Sequence, residues 1–274
     1  MTNKKEKPIR YILVALCGLL TLGNVIKFSI TGQWARLLLA LLTLVLILIP
    51  EGIERLFHCH ISQGMYLTAV LYATGPMLGH CNNLYYILPF WDKMLHILGG
   101  VMFVFLGIFL FALLGGDQKS WALCCLFALC FSLAVSVLWE FYEFGSDRLF
   151  GTDTQDDCII HSITSHMLSP EMGEVGRFTG IQQVTLNGHP LDLGGYLDIG
   201  LIDTMMDMLL ESLGAAVTAV ILWADKNRHP VFQRRETVPA DCLSPLDGCS
   251  HQTGWHRFLC KFCRMERDGP ICLV

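Results

Sequence analysis

Seven ionisable side chains recur at helical spacing within otherwise apolar stretches. Asp92 and His96 stand four residues apart, Glu140 and Glu143 three, and Asp203 and Asp207 four, with Glu211 a further four along. On a helix these spacings place each set on one face. Carboxylate oxygens with one imidazole nitrogen suit Zn²⁺, Mn²⁺, Fe²⁺ or Mg²⁺, and similar sets are built inside helical bundles from inward-facing Glu and His. Six carboxylates and an imidazole in a poorly hydrated layer cannot all stay charged without compensation. Three arrangements meet that requirement: a divalent metal neutralises them, Lys93 and Arg148 pair with some, or several carboxyls hold protons. In the metal arrangement the expected ligands are Asp92, His96, Asp203 and Asp207, with Glu140 or Glu143 as general base. The plainer account makes them solvated residues at helix ends, with Asp92 and Asp203 complementing helix macrodipoles. It weakens for His96, Asp207 and Glu211, which lie deeper.

The elements that must position these groups are membrane-spanning helices. Of 274 residues 53% are hydrophobic and only 16% charged, against about a quarter charged in a typical soluble domain. Mean hydropathy is +0.49. The apolar stretches are continuous and lack the alternation of a membrane barrel, so the expected fold is an all-α integral membrane protein. A span needs about 20 apolar residues. Six are expected, over about Tyr11–Ile30, Trp34–Ile49 (stopped by Pro50), Ile61–Leu78, Leu95–Leu114, Trp121–Phe141 and Ile199–Trp223. The Lys4-Lys5-Lys7-Arg10 start followed by a long apolar run reads as an uncleaved first helix.

Basic residues orient the spans. With the N-terminus inside, Lys4, Lys5, Lys7, Arg10, Arg55, Lys119 and eight tail residues are cytoplasmic, and only Arg36, Lys93, Arg148 and Arg177 are outside. Both termini are then cytoplasmic, and the three acid sets fall together at the extracytoplasmic ends of the fourth, fifth and sixth helices. Residues 1–224 form the membrane domain. Its long extracytoplasmic loop, about 145–198, is expected to carry its own structure, with a β-hairpin turning at Asn187-Gly188. Asp153, Asp156, Asp157, His161 and His166 in that loop either extend a metal site from above or form a solvated acidic surface. Residues 225–274 form a Cys- and Pro-rich cytoplasmic tail, where Cys242, Cys249, His251, His256, Cys260 and Cys263 offer zinc ligands at spacings matching no regular finger. Cys17, Cys124, Cys125 and Cys130 lie in apolar runs as small hydrophobes. A net charge of −5 argues against nucleic acid as a partner, leaving the lipid bilayer and a lipid-like or small-molecule substrate.

Three blocks carry a family resemblance. Asp92-Lys93-Met94-Leu95-His96 with Gly99 and Gly100 resembles a D-[KR]-x-x-H opening. Trp139-Glu140-Phe141-Tyr142-Glu143-Phe144 resembles a W-E-x-x-E-F block, and Asp203-Thr204-Met205-Met206-Asp207 a D-T-x-x-D block. Together, over roughly residues 84–223, they resemble the YjdF-type bacterial inner-membrane family, and the first block alone is similar to VanZ-like proteins. The resemblance implies a helical membrane core with these acids as signature positions; it implies no reaction. The residues themselves point to a metal-dependent hydrolase or transferase acting on a lipid-like substrate. The alternatives are a cation- or proton-coupled transporter and a non-catalytic membrane scaffold.

Overall fold

The computed structural model describes residues 6–57, 59–114, 120–225 and 232–234; the tail cysteines and histidines expected to offer zinc ligands lie outside them. Among the described residues eight α-helices follow one another: α1 (Glu6–Thr31), α2 (Trp34–Leu46), α3 (Ile49–Leu56), α4 (Gln63–Cys81), the short α5 (Leu84–Ile87), α6 (Trp91–Leu113), α7 (Trp121–Phe150) and α8 (Leu201–Ala224). The chain is an all-α membrane protein with small strand pairs. Five stretches among the described residues are long and apolar enough to cross a bilayer: Pro8–Thr31, Trp34–Leu56, Trp91–Leu113, Trp121–Phe150 and Leu201–Ala224. The remaining expected span is α4. At 1.5 Å per residue its length is about 28 Å, but its composition is too polar to join the five.

The chain divides into two compact units, Met1–Val135 with Leu210–Val274, and Ser136–Leu209. In the first, α4 packs against α1, α2 and α6, which explains its polarity. Thr74, Gly75 and Gly79 on α4 are buried, so this helix need not match lipid along its length. Pro50 was expected to stop the second span. Instead it sits in the first turn of α3, where a missing N–H and a fixed φ cost nothing, and the apolar stretch continues to Leu56. One core joins Cys17, Ile47, Met65, Val70 and Phe109. A second joins Val104 and Ile108 of α6 with Cys124, Cys125 and Ala128 of α7 and Ala215 and Ala219 of α8.

Polarity runs opposite to that of a water-soluble protein. Leu16, Leu19, Ile26 and Ile30 of α1, Leu38 and Val45 of α2, and Leu209, Leu213 and Val220 of α8 are exposed, while Thr21, Asn24, Thr43, Ser132 and Glu211 are buried. Lipid tails are as apolar as leucine, so helices here associate through close packing and hydrogen bonds rather than through exclusion of water. Gly100 shows this. A Cβ added there would lie 2.1 Å from the Glu211 carbonyl oxygen and 2.8 Å from the Ala215 nitrogen; one added at Gly214 would lie 2.4 Å from the Ile97 carbonyl oxygen. Only glycine lets the α6 and α8 backbones meet so closely. Ser132 of α7 donates to the Gly100 carbonyl at 3.2 Å, and Trp121 Nε1 donates to the Leu222 carbonyl at 2.9 Å. Arg10 of α1 is also buried, bonded to Glu54 of α3 at 2.9 Å and to the Ile61 carbonyl at 2.6 Å. Ile61 ends strand β1 (Cys59–Ile61), which pairs antiparallel with a strand at Phe232–Arg234.

In the second unit α7 continues to Phe150, so the loop opens at Gly151 rather than near residue 145. It holds β2 (Ile159–Ile160), β3 (Ser162–Ser165), β4 (Gly176–Thr179), β5 (Val184–Leu186), β6 (His189–Leu191) and β7 (Tyr196–Leu197), paired β2 with β7, β3 with β4, and β5 with β6. The expected hairpin is present. Leu186 pairs with His189, leaving Asn187-Gly188 as a two-residue turn with φ of 53° and 82°, the type I′ geometry that matches strand twist. Asp198 ties the end of the loop to α8, accepting from the backbone N–H groups of Cys158 at 2.8 Å, Gly200 at 3.2 Å and Ile202 at 2.8 Å. Burial opposes the charge of Asp198, but these N–H donors outweigh it and hold its pKa below the usual carboxylate range.

Two predictions follow from this packing. Gly100→Leu and Gly214→Leu each overpack a backbone contact that cannot yield through rotamers. Each is expected to lower the melting temperature of the detergent-solubilised protein by roughly 2–10 °C. Gly23→Leu, where an added Cβ meets nothing within 4 Å, is expected to leave it unchanged in the same circular dichroism melts. Asp198→Ala removes a cap worth about 1 kcal/mol, so amide hydrogen exchange at Cys158, Gly200 and Ile202 is expected to accelerate about fivefold. Because the folded pKa of Asp198 is depressed, its contribution is fully present above the unfolded value, about 3.9. It is lost as pH falls through the lower folded value, and a pH series of the same exchange rates would show protection fading there.

Candidate metal centre

His96 lies in the second turn of α6, between two carboxylates. Its Nε2 is 3.8 Å from Oδ1 of Asp92, one turn earlier on the same helix, and its Nδ1 is 3.6 Å from Oε2 of Glu211 on α8. Both exceed hydrogen-bonding distance, so the ring is flanked by two acids without bonding tightly to either. Asp92 is also met by Lys93 Nζ, 3.3 Å from Oδ2. Its side chain is 25% exposed, whereas Glu211 is 3% exposed and its Oε1 has no hydrogen-bond partner. Leaving such an atom unsatisfied costs several times what an exposed one does.

Asp207 precedes Glu211 by one turn of α8 and is 1% exposed. One ligand atom from each of Asp92, His96 and Asp207 lies within 4.8 Å of the others. Three donors held about 2.2 Å from one cation stand at most about 3.8 Å from one another, so the three side chains would draw together from the 4.8 Å bound to seat one. Of the four expected ligands, the structure therefore groups three. The fourth, Asp203, stands outside that group: it is buried in the first turn of α8, and its Oδ2 accepts the backbone N–H of Asp156 at 3.1 Å. Beside it, Thr204 Oγ1 accepts from Gln155 Nε2. Glu140 and Glu143, the expected general bases, are both buried on α7, and Oε1 of Glu143 accepts from Trp139 Nε1 at 2.9 Å.

The loop acids and histidines have local partners. Nδ1 of His161 lies 3.0 Å from the Ile181 carbonyl, and Nδ1 of His166 lies 3.0 Å from that of Glu174. Asp157 is exposed on the loop. Burial pushes its pKa up, and the nearby charges of Asp153, Asp198 and Asp147 add to the rise. Asp147, at the end of α7, collects the Thr154 and Gln155 backbone N–H groups and the Thr152 and Thr154 hydroxyls. Sequence reasoning did not single it out for that role. A carboxylate in a last helical turn followed by Gly151 and Thr152-x-Thr154 was the available signal, since such side chains bond nearby backbone.

Among the described residues Cys17, Cys81, Cys124, Cys125 and Cys130 are free thiols. No curated protein matches the chain, and no solved structure does. A family model described as predicted membrane protein (DUF2238) matches residues 9–228, a span that contains all three blocks of the YjdF-type resemblance and every residue of the Asp92, His96 and Asp207 group. The chain belongs to that family of membrane proteins.

Proposed function

We propose that this chain is a multi-pass bacterial inner-membrane protein that holds one divalent cation at Asp92, His96 and Asp207. It uses the cation for hydrolysis or group transfer on a lipid-like substrate. The observation that carries this reading is that one ligand atom from each of those three residues lies within 4.8 Å of the others, with His96 and Asp207 buried and Asp92 partly exposed, in a chain with many exposed apolar side chains along its helices. Acids at that depth are costly and mark functional sites in membrane proteins. A divalent ion would offset their negative charge and, as a Lewis acid, activate a water or polarise an ester oxygen.

In this reading Asp203 adds an oxygen ligand one turn before Asp207, and Glu140 or Glu143 is the general base. For an ester or phosphoester, the water oxygen forms the new bond to carbon or phosphorus and the bond to the alcohol breaks. The water proton passes to the glutamate and then to the leaving alcohol oxygen. The excess of Lys and Arg in the segments assigned to the inside favours cytoplasmic termini. The site then lies at the extracytoplasmic ends of α6, α7 and α8, residues 1–224 form the membrane domain, and residues 225–274 form a cytoplasmic tail.

The test is the metal content of detergent-purified protein by inductively coupled plasma mass spectrometry. About one equivalent is expected in the wild type and after deletion of residues 226–274, with loss in Asp207→Asn and His96→Ala. With the metal loaded, hydrolysis of fluorogenic lipid esters and phosphoesters is expected to fall by 10²-fold or more in the Glu140→Gln/Glu143→Gln double variant. Metal that leaves with the tail, or no metal at all, would overturn the reading in favour of protonated carboxylates. Metal-dependent cation uptake into proteoliposomes without hydrolysis would replace the enzyme with a transporter.

A further inference from the structure

We infer that Glu211 is a positioning residue that holds the His96 ring through Nδ1 and turns Nε2 toward the cation; this rests on the metal reading above. A neutral imidazole carries its proton on one nitrogen and offers a lone pair on the other. His96 has an acid on each side, and the two acids differ. Asp92, facing Nε2, lies in the first turn of α6, is a quarter exposed and shares its charge with Lys93. It belongs to the same three-residue group as Asp207. Glu211, facing Nδ1, is almost fully buried, comes from another helix, and has one carboxylate oxygen without a hydrogen-bond partner. The cation therefore belongs on the Nε2 side, and the Nδ1–H belongs to Glu211. This is the carboxylate–histidine–metal arrangement, in which the outer carboxylate fixes the tautomer and raises the donor strength of the ring.

The backbone supports that division. The Glu211 carbonyl oxygen is the atom that a Cβ at Gly100 would strike, and Gly100 is one turn beyond His96. The α6–α8 approach thus fixes the base of Glu211 relative to the ring, and only its side-chain torsions remain to close 3.6 Å to a bond of about 2.9 Å. Glu211 lies outside the three-residue group of Asp92, His96 and Asp207.

The experiment measures Co²⁺ affinity by competitive titration of the full-length protein in detergent, together with the visible absorption of bound Co²⁺. Glu211→Leu is expected to bind 10–100-fold more weakly than wild type while keeping the wild-type band pattern, because no ligand is lost. Glu211→Gln keeps an acceptor oxygen in the same place and is expected to bind within about fivefold, since it lacks only the charge-assisted part of the bond. If Glu211→Leu does not fold, Glu211→Asp, one methylene shorter, takes its place with an expected loss of about tenfold. Wild-type affinity in Glu211→Leu or its substitute would overturn the inference, whatever its melting temperature. So would a loss as complete as that of His96→Ala in both Leu and Gln variants, with altered bands, since Glu211 would then be a ligand. Wild-type protein that binds no Co²⁺, Zn²⁺ or Mn²⁺ would remove the metal reading itself, an outcome distinct from either.

Discussion

The backbones of α6 and α8 touch at Gly100 and Gly214, and most of what is distinctive in the first unit is built on that contact. On the α6 side, His96 lies one turn before Gly100. On the α8 side, Glu211 supplies the carbonyl against which Gly100 packs, so the close approach and the His96–Glu211 pairing are one piece of geometry. The same glycine carbonyl takes the Ser132 hydroxyl of α7, so a third helix is fastened to the joint. In lipid, where water exclusion provides no force between helices, such small-residue contacts and interhelical hydrogen bonds take its place. A larger residue at either glycine would separate the helices, and His96 from Glu211 with them.

Seen from that joint, the distribution of polarity has a single logic. Side chains that lipid tolerates point outward along α1, α2 and α8. The buried surfaces carry hydroxyls, amides and acids: Thr21, Thr43, Thr74 and Thr218 donate to carbonyls one turn earlier in their own helices, while Ser132 and Asn24 reach another helix. At the far end of α6 from His96 the requirement disappears, and the α6–α7 contact is made by Gly107 against Ala128 and by Val104 and Ile108 among cysteines and alanines. The Arg10–Glu54–Ile61 network solves the same problem with short bonds, Glu54 Oε1 also meeting His60 Nδ1 at 3.0 Å and the Ile61 N–H at 2.7 Å, although the buried Arg10 Nε has no partner. The contacts of His96 with Asp92 and Glu211 are longer, at 3.8 and 3.6 Å, and Glu211 Oε1 has no hydrogen-bond partner.

Much of this was legible in the sequence because membrane spans announce themselves through continuous apolarity. The helical class, five of the six expected spans and the Asn187-Gly188 hairpin could be read directly. Spacing plus topology brought Asp92, His96 and Asp207 to the same end of the bundle, and the structure groups them. What was not legible depends on tertiary neighbours. The polarity of α4 follows from being surrounded by helices, and no local pattern separates that from a weak span. Pro50 read as a stop because its position in a first turn is visible only once α3 exists. Asp203 and Asp207 have identical spacing signals. One accepts a backbone N–H from the loop and the other joins the histidine, a distinction set by where residues 154–158 return to α8.

The order of the chain gives these contacts a consequence during synthesis. Asp92 is followed immediately by Lys93, and the two side chains lie 3.3 Å apart, so α6 enters the bilayer with its outermost acid already neutralised by its neighbour. The sequence of α8 carries Asp203, Asp207 and Glu211 and no Lys, Arg or His. At the helix centre each unneutralised acid costs an inserting segment about 3 kcal/mol. Helix α8 follows α6 in the chain and carries its three acids without a basic residue. The histidine and glycine of α6 that meet Glu211 are therefore synthesised before the helix that packs against them.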